Sequence, residues 1–162
     1  MSILKTKIDY TLFEKYDKEY FIENKIVPIY EDSISLKIAI CSSSNIEKIK
    51  DNFIKIINFI EEKEHDILFI LANIGKRVIL HKAALKSISS NDDEKFTSYF
   101  LDELILYSIE QRASDIHIEK YQDLCLFKFR VDGRLRIFFS FDEELFRVFS
   151  SFVKLISNLD MT

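Results

Sequence analysis

The feature that most constrains this fold is an Asp-Gly pair, Asp132-Gly133, between two runs of strand-forming residues. The runs, at residues 124–131 and 134–139, are rich in Phe, Leu, Val and Ile. An Asp-Gly pair in such a setting is a strong signal for a β-hairpin, because both residue types tolerate the left-handed backbone of a tight turn. The sequence therefore predicts an antiparallel hairpin over residues 124–139.

The loop length of this hairpin decides which side chains share a face. A two-residue loop would place Val131 opposite Arg134 and would mix charged with apolar groups on both faces, which register selection disfavours. A three-residue loop, with Gly133 left-handed in a bulge, would place Arg130 opposite Arg134. We therefore expect the three-residue loop. It would put Lys128, Arg130, Arg134 and Arg136 on one face, and Cys125, Phe127, Phe129, Leu135, Ile137 and Phe139 on the other.

Hydrophobic periodicity assigns most of the remaining chain. We expect helices at residues 10–25, from Ser44 onwards, at 96–112 and at 143–158, and strands at 26–30, 33–41, 66–72 and 114–119. Ser44 and Glu47 have capping-box spacing. The helix that they begin would bury an apolar stripe of Ile46, Ile49, Phe53, Ile56, Ile57 and Ile60.

The strand expected at residues 33–41 alternates between the two faces. It would bury Ile34, Leu36, Ile38 and Ile40 and expose Ser35, Lys37 and Ala39. Residues 73–85 fit either a strand or a helix.

A polar stretch at residues 86–94 predicts a boundary between domains. We expect an α/β (α+β) fold of two small sandwiched domains, the first at residues 1–88 and the second at 96–162, with a linker at 89–95.

The net charge of -4 argues against direct nucleic-acid binding. The two cysteines, Cys41 and Cys125, lie in apolar runs and predict reduced core residues of a cytoplasmic protein. The first residues are too charged for a signal peptide. No apolar run approaches the roughly 20 residues that span a bilayer.

Residues 114–119 place Asp115, His117 and Glu119 on one face of the predicted strand, because side chains alternate along a strand. Such a face could bind a metal or act as an acid–base pair. It could equally be structural, with Ser114 and Asp115 bonding the turn and the others on a solvated or docking face. We favour the structural interpretation, because one strand supplies too few converging ligands.

The basic face of the hairpin fits an anion site, since arginine suits phosphate geometry, or a merely solvated face. A phosphate site normally also offers a Gly-rich loop or a helix N-terminus. The chain has no G-x-x-x-x-G-K-[ST], and Gly75-Lys76 lacks the upstream glycine. We therefore expect this face to contribute to a site built mainly by other residues.

Three motifs occur in a characteristic order: RASDIHIE at residues 112–119, FRVDGRL at 129–135 and KLISNLDM at 154–161. In this order they resemble the N-terminal portion of the type II secretion and type IV pilus assembly ATPases, a family that includes motors of DNA uptake in natural transformation. Residues 26–49 are more weakly similar to the first N-terminal domain of that family.

The resemblance implies a cytoplasmic hexameric motor, peripheral to the inner membrane through its partners. Residues 96–162 would form a PAS-like layer of antiparallel strands with helices, ending before a RecA-like domain that binds ATP and Mg. The first domain would dock on an inner-membrane platform or its cytoplasmic partner. This chain alone would need no cofactor and would not be an enzyme. It lacks the Arg-Leu-Gly motif with which some members bind cyclic-di-GMP, so that ligand is not expected.

Carried over by position, Arg130 is the best candidate to approach the nucleotide phosphates, with Arg134 and Arg136 as weaker candidates. Another family arginine has Phe152 near its place here, and Arg147 is a candidate substitute. The polar residues of the first two motifs would serve domain contact or structure: Ser114, Asp115, His117, Glu119, Asp132 and Gly133.

Two other functions remain open from the sequence. The chain could be a standalone adaptor that binds an inner-membrane assembly protein without any ATPase role. It could also be a metal-dependent or hydrolytic enzyme that uses Asp115, His117 and Glu119.

Overall fold

The computed structural model describes residues 2–89 and 94–159. The chain forms two compact units, Met1–Val78 and Ile79–Thr162. Each unit contains one three-stranded sheet accompanied by helices. The predicted α+β fold is therefore confirmed. The division between the units falls inside a helix, and most of the predicted linker lies outside the described residues, so the domain bounds 1–88, 89–95 and 96–162 stay predictions.

The first unit builds a mixed sheet from three strands, in the order β1-β2-β3. Strand β1 pairs with β2 antiparallel, and β2 pairs with β3 in parallel. Short helices precede β1 and connect β2 to β3. The elements are a 3-10 turn Ile3–Lys5, α1 (Leu12–Lys15), α2 (Lys18–Glu23), β1 (Val27–Glu31), β2 (Ser35–Ile40), α3 (Ile46–Asp51), β3 (Ile56–Glu61), α4 (Glu64–Leu71) and the start of α5 (Ile74–Ser89).

The two predicted strands at residues 26–41 are confirmed, and Asp32 joins them. Its side chain accepts hydrogen bonds from the backbone N–H groups of Ile34, at 2.8 Å, and Ser35, at 2.7 Å. Such a local bond is how an aspartate stabilises a turn. It also places Ile34 in the turn, where it is 66% exposed, so its predicted burial is wrong. Ala39, predicted to be exposed, is buried.

The single helix predicted at residues 10–25 is wrong, because the chain breaks between α1 and α2. Tyr16 has extended backbone, and the carboxylate of Asp17 caps α2 by accepting from the N–H of Glu19 at 3.0 Å. An N-cap aspartate favours a new helix start over continuation of the old one.

Helix α3 begins one residue later than predicted and ends early. Asn45 is its N-cap, while the hydroxyl of Ser44 accepts instead from the N–H of Cys41 at 3.1 Å. The helix ends at Asp51, and residues 56–61 form β3, so the predicted stripe from Ile46 to Ile60 does not exist. The spacing of Ile56, Ile57 and Ile60 also fits a strand, and pairing with β2 decides between them.

The predicted strand at residues 66–72 is wrong, because this run lies in helix α4. Periodicity alone does not separate a short buried strand from a buried helix segment. The segment at residues 73–85, whose spacing fitted either a strand or a helix, is helical from Ile74 onwards, where α5 begins.

The second unit follows its prediction closely. It continues from α5 with α6 (Glu94–Glu110), β4 (Asp115–Tyr121), β5 (Leu124–Val131), β6 (Arg134–Asp142) and α7 (Glu143–Ile156). The strands form an antiparallel sheet in the order β4-β5-β6. Phe100 of α6 joins the helices to the sheet, with ring centroids 5.5 Å from Phe127 and 5.2 Å from Phe149 of α7. Such edge-to-face packing makes an aromatic core.

Candidate functional site

The turn between β5 and β6 is a two-residue loop. Asp132 and Gly133 both have positive φ, 49° and 72°, and Val131 pairs with Arg134. This is the backbone of a type I′ turn, whose twist matches that of the flanking strands. The predicted three-residue loop, with Arg130 opposite Arg134, is therefore wrong.

A β-bulge confines the mixing of charged and apolar residues to the turn end of the hairpin. Lys128 pairs with Ile137, and the next pair is Phe127 with Phe139, so Phe138 has no opposing residue in β5. An extra residue in one strand switches the faces of all residues beyond it. Phe139 and Phe141 consequently lie on the buried face with their partners in β5, Phe127 and Cys125. Without the bulge, the odd-numbered residues of β6 would lie on the other face, as Leu135 does.

The observed register separates the arginines that were predicted to share a face. Arg130 pairs with Leu135 in β6 and with Asp115 in β4, whereas Arg136 pairs with Phe129 and Arg134 with Val131. Paired residues on neighbouring strands project to the same side. Arg130 and Lys128 therefore lie on one face, and Arg134 and Arg136 lie on the other, near the exposed tip.

The end of α6 sets the position of the first site residues. Arg112 adopts positive φ, 55°, and the N–H of Ala113 bonds to the carbonyl of Ser108 at 2.9 Å. This is the pattern of a Schellman C-cap, which ends the helix and redirects the chain. The N–H of Ser114 then bonds to the carbonyl of Arg130 at 2.9 Å, which begins the pairing of β4 with β5.

Arg130, Asp115 and His117 form one cluster on the face of the sheet that also carries Lys128. The Nε–H of Arg130 donates to the carboxylate of Asp115, at 3.0 Å to Oδ2 and 3.3 Å to Oδ1. A terminal nitrogen of Arg130, Nη2, lies 3.2 Å from Nε2 of His117, and that same Nε2 contacts Oδ1 of Asp115. The imidazole Nε2 can donate to Asp115 or accept from Arg130, according to its protonation, but not both.

Asp115 is held from a second side by Ser114, whose hydroxyl donates to Oδ2 at 2.7 Å. This hydroxyl, followed by His117 and the positive charge of Arg130, keeps the pKa of Asp115 below its ordinary value although partial desolvation opposes the effect. Asp115 is therefore a stable anion beside the arginine.

The remaining cation of this face is paired as well. Lys128 donates to a carboxylate oxygen of Glu119, and Lys128 is the more buried partner, with 19% of its side chain exposed against 45% for Glu119. The predicted concentration of positive charge is therefore wrong, because each of the two cations, Lys128 and Arg130, faces a carboxylate. Sequence reasoning missed these pairs because they depend on the register of β4 against β5.

The metal interpretation finds no support in the geometry. Asp115 and His117 meet, but Glu119 turns to Lys128. Within residues 2–89 and 94–159 there is no group of three or more His, Cys, Asp or Glu side chains that could hold a metal ion.

The comparisons with known proteins match the same region. Residues 90–162 match the family described as Type II/IV secretion system protein. A type II secretion system protein E of Pectobacterium carotovorum is 34% identical over 70 residues, which is 43% of this chain and 14% of that protein. A type II secretion system protein E of Klebsiella pneumoniae is 29% identical over 97 residues, 57% of this chain and 20% of that protein.

One similarity extends over most of the sequence. The type IV pilus assembly ATPase PilB of Myxococcus xanthus is 24% identical over 166 residues, 90% of this chain. Residues 90–162 of the chain are similar to the type II/IV secretion system proteins. The resemblance predicted from the three motifs is thereby confirmed.

The chain spans a small part of these secretion proteins, between 14% and 29% of their length. Arg130, Asp115 and His117 all lie inside the residues that match the family. None of the helices in the described part of the chain is both long and apolar enough to cross a membrane.

Proposed function

We propose that this chain is the N-terminal docking and regulatory region of a hexameric ATPase that powers type II secretion, type IV pilus assembly or DNA uptake. Its Arg130 approaches ATP bound by a catalytic domain elsewhere in the parent protein or in a neighbouring subunit. The supporting observation is Arg130 itself. It lies within the family match, keeps 37% of its side chain exposed, and is oriented by a carboxylate on the adjacent strand.

The chemistry of Arg130 suits this role. A guanidinium is always charged and presents a planar set of donors that fits two phosphate oxygens. Arg134 and Arg136 are exposed on the opposite face at the hairpin tip. They remain weaker candidates, because one phosphate group cannot meet both faces of the sheet at once.

The residues of this chain could supply one arginine to an ATP site, but they do not form a phosphate-binding loop. Its two glycines lie in helix α5, at Gly75, and in the hairpin, at Gly133, so neither belongs to a Gly-rich phosphate loop. We therefore assign the binding of ATP and Mg to the parent protein's catalytic domain. ATP bound there would carry the phosphoryl chemistry, and Arg130 would stabilise negative charge on its phosphates.

The location and partners follow from the same proposal. The parent protein is cytoplasmic and attaches to the inner membrane only through partners, with the first unit contacting a membrane platform or its cytoplasmic partner protein. The net charge of -4 supports protein partners rather than direct binding to nucleic acid.

The test is ATP turnover by the assembled parent ATPase carrying Arg130→Ala. Loss of a charge-assisted contact costs about 1.5–3 kcal/mol, so we expect turnover to fall about tenfold or more. Arg134→Ala and Arg136→Ala are matched controls on the other face and should have smaller effects. Circular dichroism should confirm that each variant is folded. Unchanged turnover in Arg130→Ala would remove this residue from the nucleotide site.

A further inference from the structure

We propose that Asp115 and His117 are positioning residues that orient the guanidinium of Arg130 towards a nucleotide phosphate, and that His117 makes this orientation dependent on pH. The proposal rests on the function proposed for Arg130. Neither residue touches the nucleotide; both act through the arginine.

The two contacts fix one edge of the guanidinium. Nε–H is bound to Asp115 and Nη2 contacts His117, and these two nitrogens lie on the same side of the planar group. A guanidinium has five N–H donors. With this edge occupied, two parallel N–H groups remain at the end of the guanidinium away from Nε, one on Nη1 and the other on Nη2. This is the pair that would donate to two phosphate oxygens.

The support behind Arg130 is itself anchored to the sheet. Asp115 pairs with Arg130 across β4 and β5, and the hydroxyl of Ser114 holds the carboxylate at 2.7 Å. A long side chain otherwise loses rotamer entropy when it is fixed against a ligand. A preformed arrangement lowers that cost at the moment of reaction, which is how supporting residues raise a rate without contacting the substrate.

His117 can take two roles that affect Arg130 in opposite ways. When Nε2 carries no proton, it accepts from Nη2 of Arg130 and completes the edge. When Nε2 carries the proton, in one neutral tautomer or in the cation, it donates to Oδ1 of Asp115 and competes with Arg130 for that carboxylate. Protonation of the whole ring leaves only this arrangement and also brings a positive charge to 3.2 Å from the guanidinium. Acid therefore loosens the arginine.

The groups around His117 do not cancel this effect. Asp115 and Glu119 flank it on β4, and Lys128 and Arg130 face it from β5. Strand β6 adds the apolar Leu135 and Ile137 opposite Arg130 and Lys128. Beyond the bulge, Ser140 and Asp142 lie on the same face, opposite Leu126 and Leu124. Glu119 is bound to Lys128, so Asp115 is the carboxylate that a protonated His117 engages.

The test uses ATP turnover of the assembled parent ATPase between about pH 5 and 8, where histidine side chains titrate. Asp115→Asn keeps the size of the side chain but removes its charge, and we expect kcat to fall about fivefold at neutral pH. His117→Gln keeps an acceptor that does not titrate. It should retain neutral-pH turnover within about twofold and lose the wild-type decline in acid.

Two controls separate positioning from a merely structural effect. Glu119→Gln disturbs the neighbouring ion pair of the same face without touching Arg130, so turnover at neutral pH should not change. In an Arg130→Ala background, Asp115→Asn should have no further effect on kcat, because the residue acts only through Arg130. A further fivefold loss in the double variant would overturn the proposal.

The possible failures are distinguishable. If Arg130→Ala lowers turnover but Asp115→Asn and His117→Gln behave as wild type, positioning is wrong and the function of Arg130 stands. If Arg130→Ala has no effect, both proposals fail. Should Asp115→Asn not fold, solvent exchange of the Arg130 Nε–H can be compared with that of Arg134 by NMR in the wild-type protein. Slower exchange at Arg130 supports the clamp, and equal exchange overturns it.

Discussion

At the residue scale, Gly133 and Gly75 show how one substitution can have opposite effects at two sites. Gly133 lies in the hairpin turn with φ of +72°, while Gly75 is an exposed residue of helix α5. An added methyl group would meet no heavy atom within 4 Å at either glycine. Only the backbone therefore distinguishes the two sites.

We expect Gly133→Ala to lower the free energy of unfolding by about 1 kcal/mol, because alanine resists positive φ. Gly75→Ala should raise it by about 0.5 kcal/mol, since alanine restricts the unfolded chain and favours the helix. Urea unfolding of both variants measures the difference. Equal effects of the same sign would contradict the turn geometry.

At the element scale, Glu31 connects helix α1 to strand β1 in the first unit. Its carboxylate is 7% exposed and is bound by Lys15 and Lys55 together with the hydroxyl of Tyr16. Burial alone would raise the pKa of Glu31, but the three donors outweigh it and lower the pKa to about 2. Burial, with the bond to Glu31, raises the pKa of Tyr16 to about 12.

This depressed pKa predicts a pH-dependent contribution to stability. The folded-state pKa lies below the ordinary value of 4.5, so the contribution is present above about pH 4.5 and is lost as the pH falls towards 2. Urea unfolding should therefore show Glu31→Gln less stable than wild type at pH 7, with a smaller difference at pH 3. The control Glu23→Gln, at an exposed position of α2, should have the same free energy of unfolding as wild type at both pH values. If Glu31→Gln differed from wild type equally at pH 7 and pH 3, the depressed pKa would be contradicted.

The elements that could be predicted from the sequence are those with one dominant signal. The alternation from Leu36 to Ile40, the long amphipathic helices α6 and α7, and the Asp132-Gly133 turn all gave the correct type of structure. Residues 56–61 and 66–72 were assigned wrongly because their apolar spacing fits two structures, and tertiary pairing chose between them.

The hairpin register was predicted wrongly for a different reason. Counting side chains from the turn assumed an unbroken ladder, whereas Phe138 forms a bulge that resets the faces. Bulges leave little trace in the sequence, since the extra residue here is another phenylalanine in a run of apolar residues.

At the scale of the whole molecule, the candidate site could be predicted only in part. Arg130 was identified through its motif, but its partners, Asp115 and His117, were assigned to structure because their contact with it depends on the pairing of β4 with β5. The structure places all three within the family match. The pairing turns a supposed row of positive charges into one supported arginine.

The measurement that tests the central claim most directly is a cryo-EM structure of the assembled parent ATPase with a non-hydrolysable ATP analogue. The account predicts that, in at least one subunit, the guanidinium of Arg130 lies about 3 Å from a phosphate oxygen while its Nε–H still contacts Asp115. A structure in which the β5–β6 hairpin faces away from the nucleotide in every subunit would contradict it.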